Sequence, residues 1–86
     1  MTRTASWHRS KDARGQVTHS LIDGEGNILG YATQTGHPGR DDYPWDWWLA
    51  HTGLRDLPPG RKASGVTDTL KAAKVEVRLS TGAHTS

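Results

Sequence analysis

Alternation of apolar and polar residues dominates the first half of the chain and predicts β-strands. On this basis we predict strands at residues 5–9, 16–22, 28–33 and 45–51. The second and third are separated by the turn DGEGN at residues 23–27, whose glycines and asparagine tolerate the positive φ of tight turns. These two strands are therefore expected to pair as a hairpin.

The last third of the chain carries two competing patterns. Four apolar residues at helical spacing form one face: Val66, Leu70, Ala73 and Val77. They predict a helix over 67–81, with Thr67 or Asp68 as its N-terminal cap and Gly82 in the left-handed conformation at its end. Residues 74–80 also contain a strand-like alternation, so they are helix or strand on pattern alone. The caps and the paired alanines favour the helix.

Together these elements predict the α+β class: a three- to four-stranded antiparallel β-meander packed on one C-terminal helix. We expect a single small domain over residues 1–86, with flexible ends at 1–5 and 82–86. Residues 34–44 and 52–65 contain the structure-breaking glycines and prolines and are predicted to be long loops.

Alternation sorts the tryptophan-rich strand into two sides. One side carries residues that we expect in the core with the helix: Trp45, Trp47 and Leu49 against Leu70, Ala73 and Val77. Asp46 and Trp48 point the other way, and the aspartate indicates that this side is in contact with water. Trp48 is therefore predicted on an open sheet face, partly shielded by Trp7 or Tyr31.

The composition allows a folded chain with a thin core. Of 86 residues, 33% are hydrophobic and 4 are tryptophan, and the net charge is +2. Each buried ring removes roughly 150–250 Å² from water, so the tryptophans supply burial that aliphatic residues otherwise give. The chain has no cysteine, which excludes disulfides and thiolate zinc sites. No apolar run suits a signal peptide or a membrane span, so we expect a soluble, cytoplasmic protein.

Residue patterns typical of catalysis, metal binding and phosphate binding are missing from the sequence. The histidines, at positions 8, 19, 37, 51 and 84, have neither the i, i+4 nor the H-x-H spacing that places two ligands together. No G-x-S-x-G elbow presents a nucleophile, and the turn at 23–27 precedes a strand and lacks the P-loop lysine. We therefore predict no catalytic residue, no metal and no cofactor, and a role in binding.

The first of two binding hypotheses is a protein interaction. Residues 41–48 combine acidic and aromatic side chains, a mixture that protein interfaces use. The predicted contact residues are Asp42, Tyr43, Asp46 and Trp48, and the exposed ring of Trp48 is the expected anchor.

The second hypothesis is a small basic DNA-binding module whose open sheet face lies in the major groove. The residues assigned to that face are Arg9, His19, Tyr31 and Trp48. Arg61 and Lys62, on a loop, are predicted to contact phosphates. The order of hairpin, strand and helix resembles the N-terminal DNA-binding domains of tyrosine integrases and plant AP2 factors, although the arginine-rich strands of that group are missing here.

Four motifs follow an order that resembles a group of small uncharacterised proteins of actinobacteria and their phages. They are Trp7, LIDGEGNILG at 21–30, WDW at 45–47 and TLKAAKVE at 69–76. That group shares a Trp, a d-G-x-x-l-G hairpin, a W-x-W strand and a closing helix with an Ala-Lys pair. The resemblance spans most of the chain and implies a β-meander with a C-terminal helix and an accessory role. We thus expect a phage-like protein that binds a host or phage protein, with DNA as the alternative partner, as a monomer or an edge-strand dimer.

Overall fold

Six strands and two helices make up the part of the chain that the computed structural model describes, residues 3–34, 44–55 and 57–85. The strands are β1 (Arg3–Lys11), β2 (Val17–Asp23), β3 (Ile28–Gln34), β4 (Trp45–Leu49), β5 (Ser64–Thr67) and β6 (Ala83–Thr85). The helices are α1 (His51–Arg55), between β4 and β5, and α2 (Leu70–Thr81), between β5 and β6.

All six strands belong to one sheet, in the order β5-β4-β3-β2-β1-β6. The first five strands follow one another as an antiparallel meander, and β6 pairs in parallel with the first residues of β1. The predicted α+β class, the antiparallel sheet and the C-terminal helix are thus confirmed. Three to four strands is too few, because β5 and β6 have only 4 and 3 residues and carry no clear alternation.

The β1–β2 and β2–β3 hairpins use the same turn, with the sequence D-x-x-G-x. In each turn an aspartate carboxylate oxygen accepts hydrogen bonds of 2.9 Å from the backbone N–H groups two and four residues later. The fourth residue is a glycine in the left-handed region, Gly15 with φ of 86° and Gly26 with φ of 88°. Such a turn returns the chain with the right-handed twist that neighbouring strands need. The predicted hairpin is confirmed, and Asp12 begins a second one of the same design.

A β-bulge in the second hairpin directs Leu29 into the core. The register passes from Leu21 opposite Gly30 to Ile22 opposite Ile28, so Leu29 is the extra residue on β3. Leu29 is fully buried, and the neighbouring Gly30 faces α2. Simple alternation would have placed these two residues on opposite faces of the sheet.

The segment after β5 is a helix, so the alternative of a strand at 74–80 is wrong. Its N-cap is Thr69, whose hydroxyl accepts a hydrogen bond of 3.1 Å from the backbone N–H three residues later. The prediction of Thr67 or Asp68 as the cap is wrong because Thr67 is the last residue of β5 and pairs with β4. Gly82 ends the helix in the left-handed conformation, as predicted.

Within the segments that the sequence predicts to be flexible ends, 1–5 and 82–86, residues 3–5 and 83–85 form paired strands. Residues 3–5 of β1 lie in register with β6, and parallel hydrogen bonding joins the two. Ala5 and Ala83 are both buried at this junction. Two small apolar side chains are thus buried where β1 and β6 pair.

The two predicted long loops have different outcomes. The segment 52–65 contains most of α1 and the start of β5. Within α1, Gly53 lies so close to β3 that a Cβ would overlap the carbonyl oxygen of Leu29. Of the predicted loop at 34–44, residues 35–43 lie outside the described residues.

The core lies between α2 and the side of the sheet that α2 covers, mainly over β3 and β4. As predicted, it contains Trp47, Leu49, Ala73 and Val77, with Trp45 and Leu70 packed at its margin. Val77 lies directly over Gly30, where a Cβ would come within 2.7 Å of its Cγ1. The helix therefore approaches the sheet this closely because Gly30 has no side chain.

Gly30→Ala is expected to destabilise the protein by roughly 1–3 kcal/mol, through overpacking between α2 and β3. The added Cβ would stand 2.7 Å from Cγ1 of Val77 and 3.0 Å from the backbone oxygen of Trp48, so the helix or the strand has to shift. Urea unfolding followed by tryptophan fluorescence measures the free energy of unfolding. Gly24→Ala is the matched control, because nothing lies within 4 Å of its Cβ position. Equal stability of the two variants would contradict close packing at Gly30.

Candidate functional site

The two faces of the sheet differ in what covers them. Strand register and side-chain alternation direct one row of residues toward α2: Arg9, His19, Ala32 and Trp47. We call this side the inner face and the opposite side the open face. No element of the described chain packs on the open face, and its side chains are exposed or partly exposed.

The open face carries hydroxyl and apolar side chains. Its hydroxyl residues are Thr4, Ser6, Ser10, Thr18, Ser20, Thr33 and Ser64, and its apolar and aromatic residues are Ile22, Ile28, Tyr31, Trp48 and Val66. Among the described side chains, His8 and Asp46 also lie on this face. No lysine or arginine occupies an outward-facing position of the described strands, so this face has little positive charge.

Tyr31 and Trp48 form a ring pair on the middle strands of the open face. They lie directly opposite each other across β3 and β4, with 5.3 Å between ring centroids and 31° between ring planes. Trp48 is 37% exposed, and Val66 on β5 extends the apolar surface with 64% exposure. A shallow cavity of about 340 Å³ lies beside Trp48, Val66 and Asp46. The ring that shields Trp48 is thus Tyr31, whereas Trp7 faces inward.

Two of the four residues predicted to bind a protein lie together on the open face. Asp46 and Trp48 are two positions apart on β4 and point the same way. Asp42 and Tyr43 lie outside the described residues. Sequence reasoning missed Val66, because it assigned this residue to the apolar side of the helix when it belongs to β5.

The residues predicted to contact DNA are not brought together. Arg9 lies on the inner face in register with buried His19, so the assignment of both residues to the open face is wrong. Arg61 is partly buried and forms an ion pair of 3.2 Å with Glu76 of α2. This ion pair connects the segment before β5 to the helix. Lys62 is exposed. Arg61 and Lys62 lie just before β5, which is four strand spacings, about 19 Å, from β1, so Arg9 is distant from both.

His19 is buried on the inner face close to positive charge. Its side chain is 8% exposed, and its ring meets Trp45 edge-on with 5.9 Å between centroids. Burial lowers the pKa of His19 below its usual 6.5, and the charges of Lys74 and Arg9 lower it further. The imidazole is therefore neutral at physiological pH.

A basic stripe along α2 is a feature that sequence reasoning missed. Lys71, Lys74 and Arg78 lie on one side of the helix, next to Trp7 of β1. The spacings of three and four residues place them on one helical side, so the signal was present in the sequence. The three clustered cations therefore lie on the helix side of the sheet, where they could contact an anionic ligand.

Comparisons with protein-family models, with curated proteins and with solved structures find no match for this chain. Within residues 3–34, 44–55 and 57–85, no three histidine, aspartate or glutamate side chains gather in a way that could hold a metal ion. No helix in that part of the chain is long and apolar enough to cross a membrane. The function of the two faces is therefore argued from their own chemistry.

The free energy of unfolding is expected to fall as the pH is lowered from 7.5 to about 5.5, and His19→Gln is expected to reduce that fall. The folded-state pKa of His19 is below 6.5, so the unfolded chain takes up the proton more readily and acid favours unfolding. The stabilising contribution is fully present above the unfolded pKa and is lost as the pH falls toward the folded pKa. Urea unfolding at a series of pH values measures it, with His8→Gln on the open face as control. An unchanged pH dependence in His19→Gln would contradict the burial of a neutral imidazole.

Proposed function

We propose that the protein is a non-catalytic, phage-like accessory protein that binds a host or phage protein through its open face. The phage-like character is supported by the sequence resemblance. The observation that carries the binding proposal is the exposed ring pair of Tyr31 and Trp48 on a face that no described element covers. Trp48 is the proposed anchor, with Tyr31 as its support and Val66 and Asp46 beside it.

The chemistry of the open face supports a protein partner. Interface cores are enriched in tyrosine and tryptophan and depleted of charged residues, and truncation of such rings often costs most of the binding energy. The ring of Trp48 is held on a regular strand against Tyr31, so binding costs little side-chain entropy. Asp46 stands at the edge of the same patch and provides polar specificity.

The same face is poorly suited to DNA. Affinity for duplex DNA comes largely from lysine and arginine on phosphates, and the outward-facing positions of the described strands have neither. The groove-binding hypothesis needs Arg9 and His19 on this face, and both lie on the other. A protein is therefore the partner that we assign to the open face.

A photo-crosslinking experiment can identify the partner and the face that it uses. The chain has no cysteine, so Val66→Cys accepts a single benzophenone label at the margin of the patch. Leu79→Cys carries the same label on α2, where Leu79 is 45% exposed, and serves as the matched control. We expect the label at position 66 to capture one partner from an actinobacterial lysate and the label at 79 not to capture it. Equal capture from both positions would place the contact elsewhere.

Trp48→Ala is expected to weaken binding to the purified partner about 30-fold or more, which corresponds to a loss of at least ~2 kcal/mol for an anchor residue. The ring is removed from an exposed position, so the core remains packed. Isothermal titration calorimetry measures the affinity, and near-ultraviolet circular dichroism checks the fold. Leu79→Ala, which truncates an exposed apolar residue outside the patch, should bind as the original chain does. Unchanged affinity in Trp48→Ala would exclude the open face as the binding surface.

A further inference from the structure

A groove separates α2 from β1 on the inner face. The helix lies mainly over β3 and β4, so the inward side of β1 stands beside it rather than beneath it. The resulting cavity has a volume of about 360 Å³ and is lined by Trp7, Leu70, Lys71, Lys74, Val75 and Arg78. This volume lies within the range of small-ligand sites, about 300–1,000 Å³.

The charge of the groove has one sign. Lys71, Lys74 and Arg78 line it from the helix, and they span about 10 Å along the helix axis at a rise of about 1.5 Å per residue. Arg9 follows Trp7 by two positions on the same side of β1. No carboxylate is among the lining residues, and the ion pair found between described side chains, Arg61 with Glu76, is elsewhere.

The floor of the groove is aromatic and apolar. The ammonium of Lys74 lies over the ring of Trp7, 5.3 Å from its centroid. Leu70 and Val75 continue the apolar surface, and Val75 is 37% exposed. A ligand that contacts both the apolar floor and the row of cations has a flat apolar group and several anionic groups at regular intervals along its length.

We propose that this groove binds single-stranded nucleic acid, with a base on Trp7 and the backbone phosphates on Lys71, Lys74 and Arg78. Unpaired bases expose the ring faces that stack on aromatic side chains, and a basic groove follows the backbone. A base on Trp7 takes the place of the Lys74 ammonium, which then reaches a phosphate. Duplex DNA keeps its bases stacked and leaves the apolar floor unused. The groove is on the opposite side of the sheet from Trp48, so this activity is independent of the proposed protein binding.

The test is fluorescence anisotropy of a labelled oligothymidylate of about 20 nucleotides, titrated with the protein at about 50 and 200 mM salt. Three phosphate contacts on a single strand predict affinity about 20-fold weaker at the higher salt. The variant Lys71→Gln/Lys74→Gln/Arg78→Gln is expected to lose this binding and most of its salt dependence. No binding of the unaltered protein at the lower salt would overturn the proposal.

A charge-matched control separates the groove from general electrostatic attraction. Arg14→Gln/Arg55→Gln/Lys62→Gln removes three exposed cations that do not line the groove and lowers the net charge equally. It is expected to keep the affinity for the oligonucleotide, and equal loss in both triple variants would overturn the proposal. Circular dichroism checks that each variant is folded. If the groove triple variant does not fold, the single change Lys74→Gln takes its place in the titration.

Two competing ligands distinguish the class of polyanion. A duplex of the same length and poly-glutamate of similar charge should each bind at least tenfold more weakly than the single strand. Equal binding of the duplex would overturn the single-strand assignment, and equal binding of poly-glutamate would replace it with an acidic protein. In ¹H–¹⁵N spectra the oligonucleotide should shift the indole N–H signal of Trp7, assigned with Trp7→Phe, and leave that of Trp48 in place. The reverse pattern would place the nucleic acid on the open face.

Discussion

The structure depends on the close contact between Val77 of α2 and the bare backbone of Gly30 in β3. Because Gly30 has no side chain and Ala73 has a small one, the helix lies close against β3 and β4. Small residues bury little apolar area, so Trp47 supplies much of the bulk, with its ring against Gly65 of the next strand. The position of α2 then decides what stays uncovered: the inward side of β1 and the whole of the open face.

The position of α2 also separates the charges of the molecule. Lys74, Arg78 and Arg9 lie on the helix side of the sheet, and the outward-facing positions of the described strands carry no lysine or arginine. Salt screens solvent-exposed charges over about 8 Å at physiological ionic strength, so a ligand in the solvent interacts mainly with the charges on the side that it contacts. A chain of 9.4 kDa thus presents two surfaces of different chemistry, and a ligand on one leaves the other accessible.

The sequence correctly predicts the elements in which apolar and polar residues follow a clear pattern. Its predictions are wrong where that pattern is weak. In residues 45–49 alternation places Trp45, Trp47 and Leu49 on one side and Asp46 and Trp48 on the other, so the inward rings and the exposed ring of the proposed site both follow from it. The turn at 23–27 and the capped helix are likewise local signals. The prediction for Arg9 is wrong because β1 has few apolar residues, and its orientation is set by the pairing of Trp7 with Leu21. The strands β5 and β6 form only because β4 and β1 offer partners, which no local pattern encodes.

The parallel pairing of β6 with residues 3–5 of β1 has a consequence for synthesis. β1 is translated first and β6 last of these elements, and 71 residues lie between the end of β1 at Lys11 and the start of β6 at Ala83. At a translation rate of about 5–20 residues per second, the outer edge of β1 stays unpaired for roughly 4–14 s. An open edge is a template for aggregation, and charged side chains such as those of Arg9 and Lys11 discourage it. Arg9 and Lys11 lie on the part of β1 that β6 does not cover, so their charges discourage edge-to-edge pairing with another chain in the folded protein as well as during synthesis.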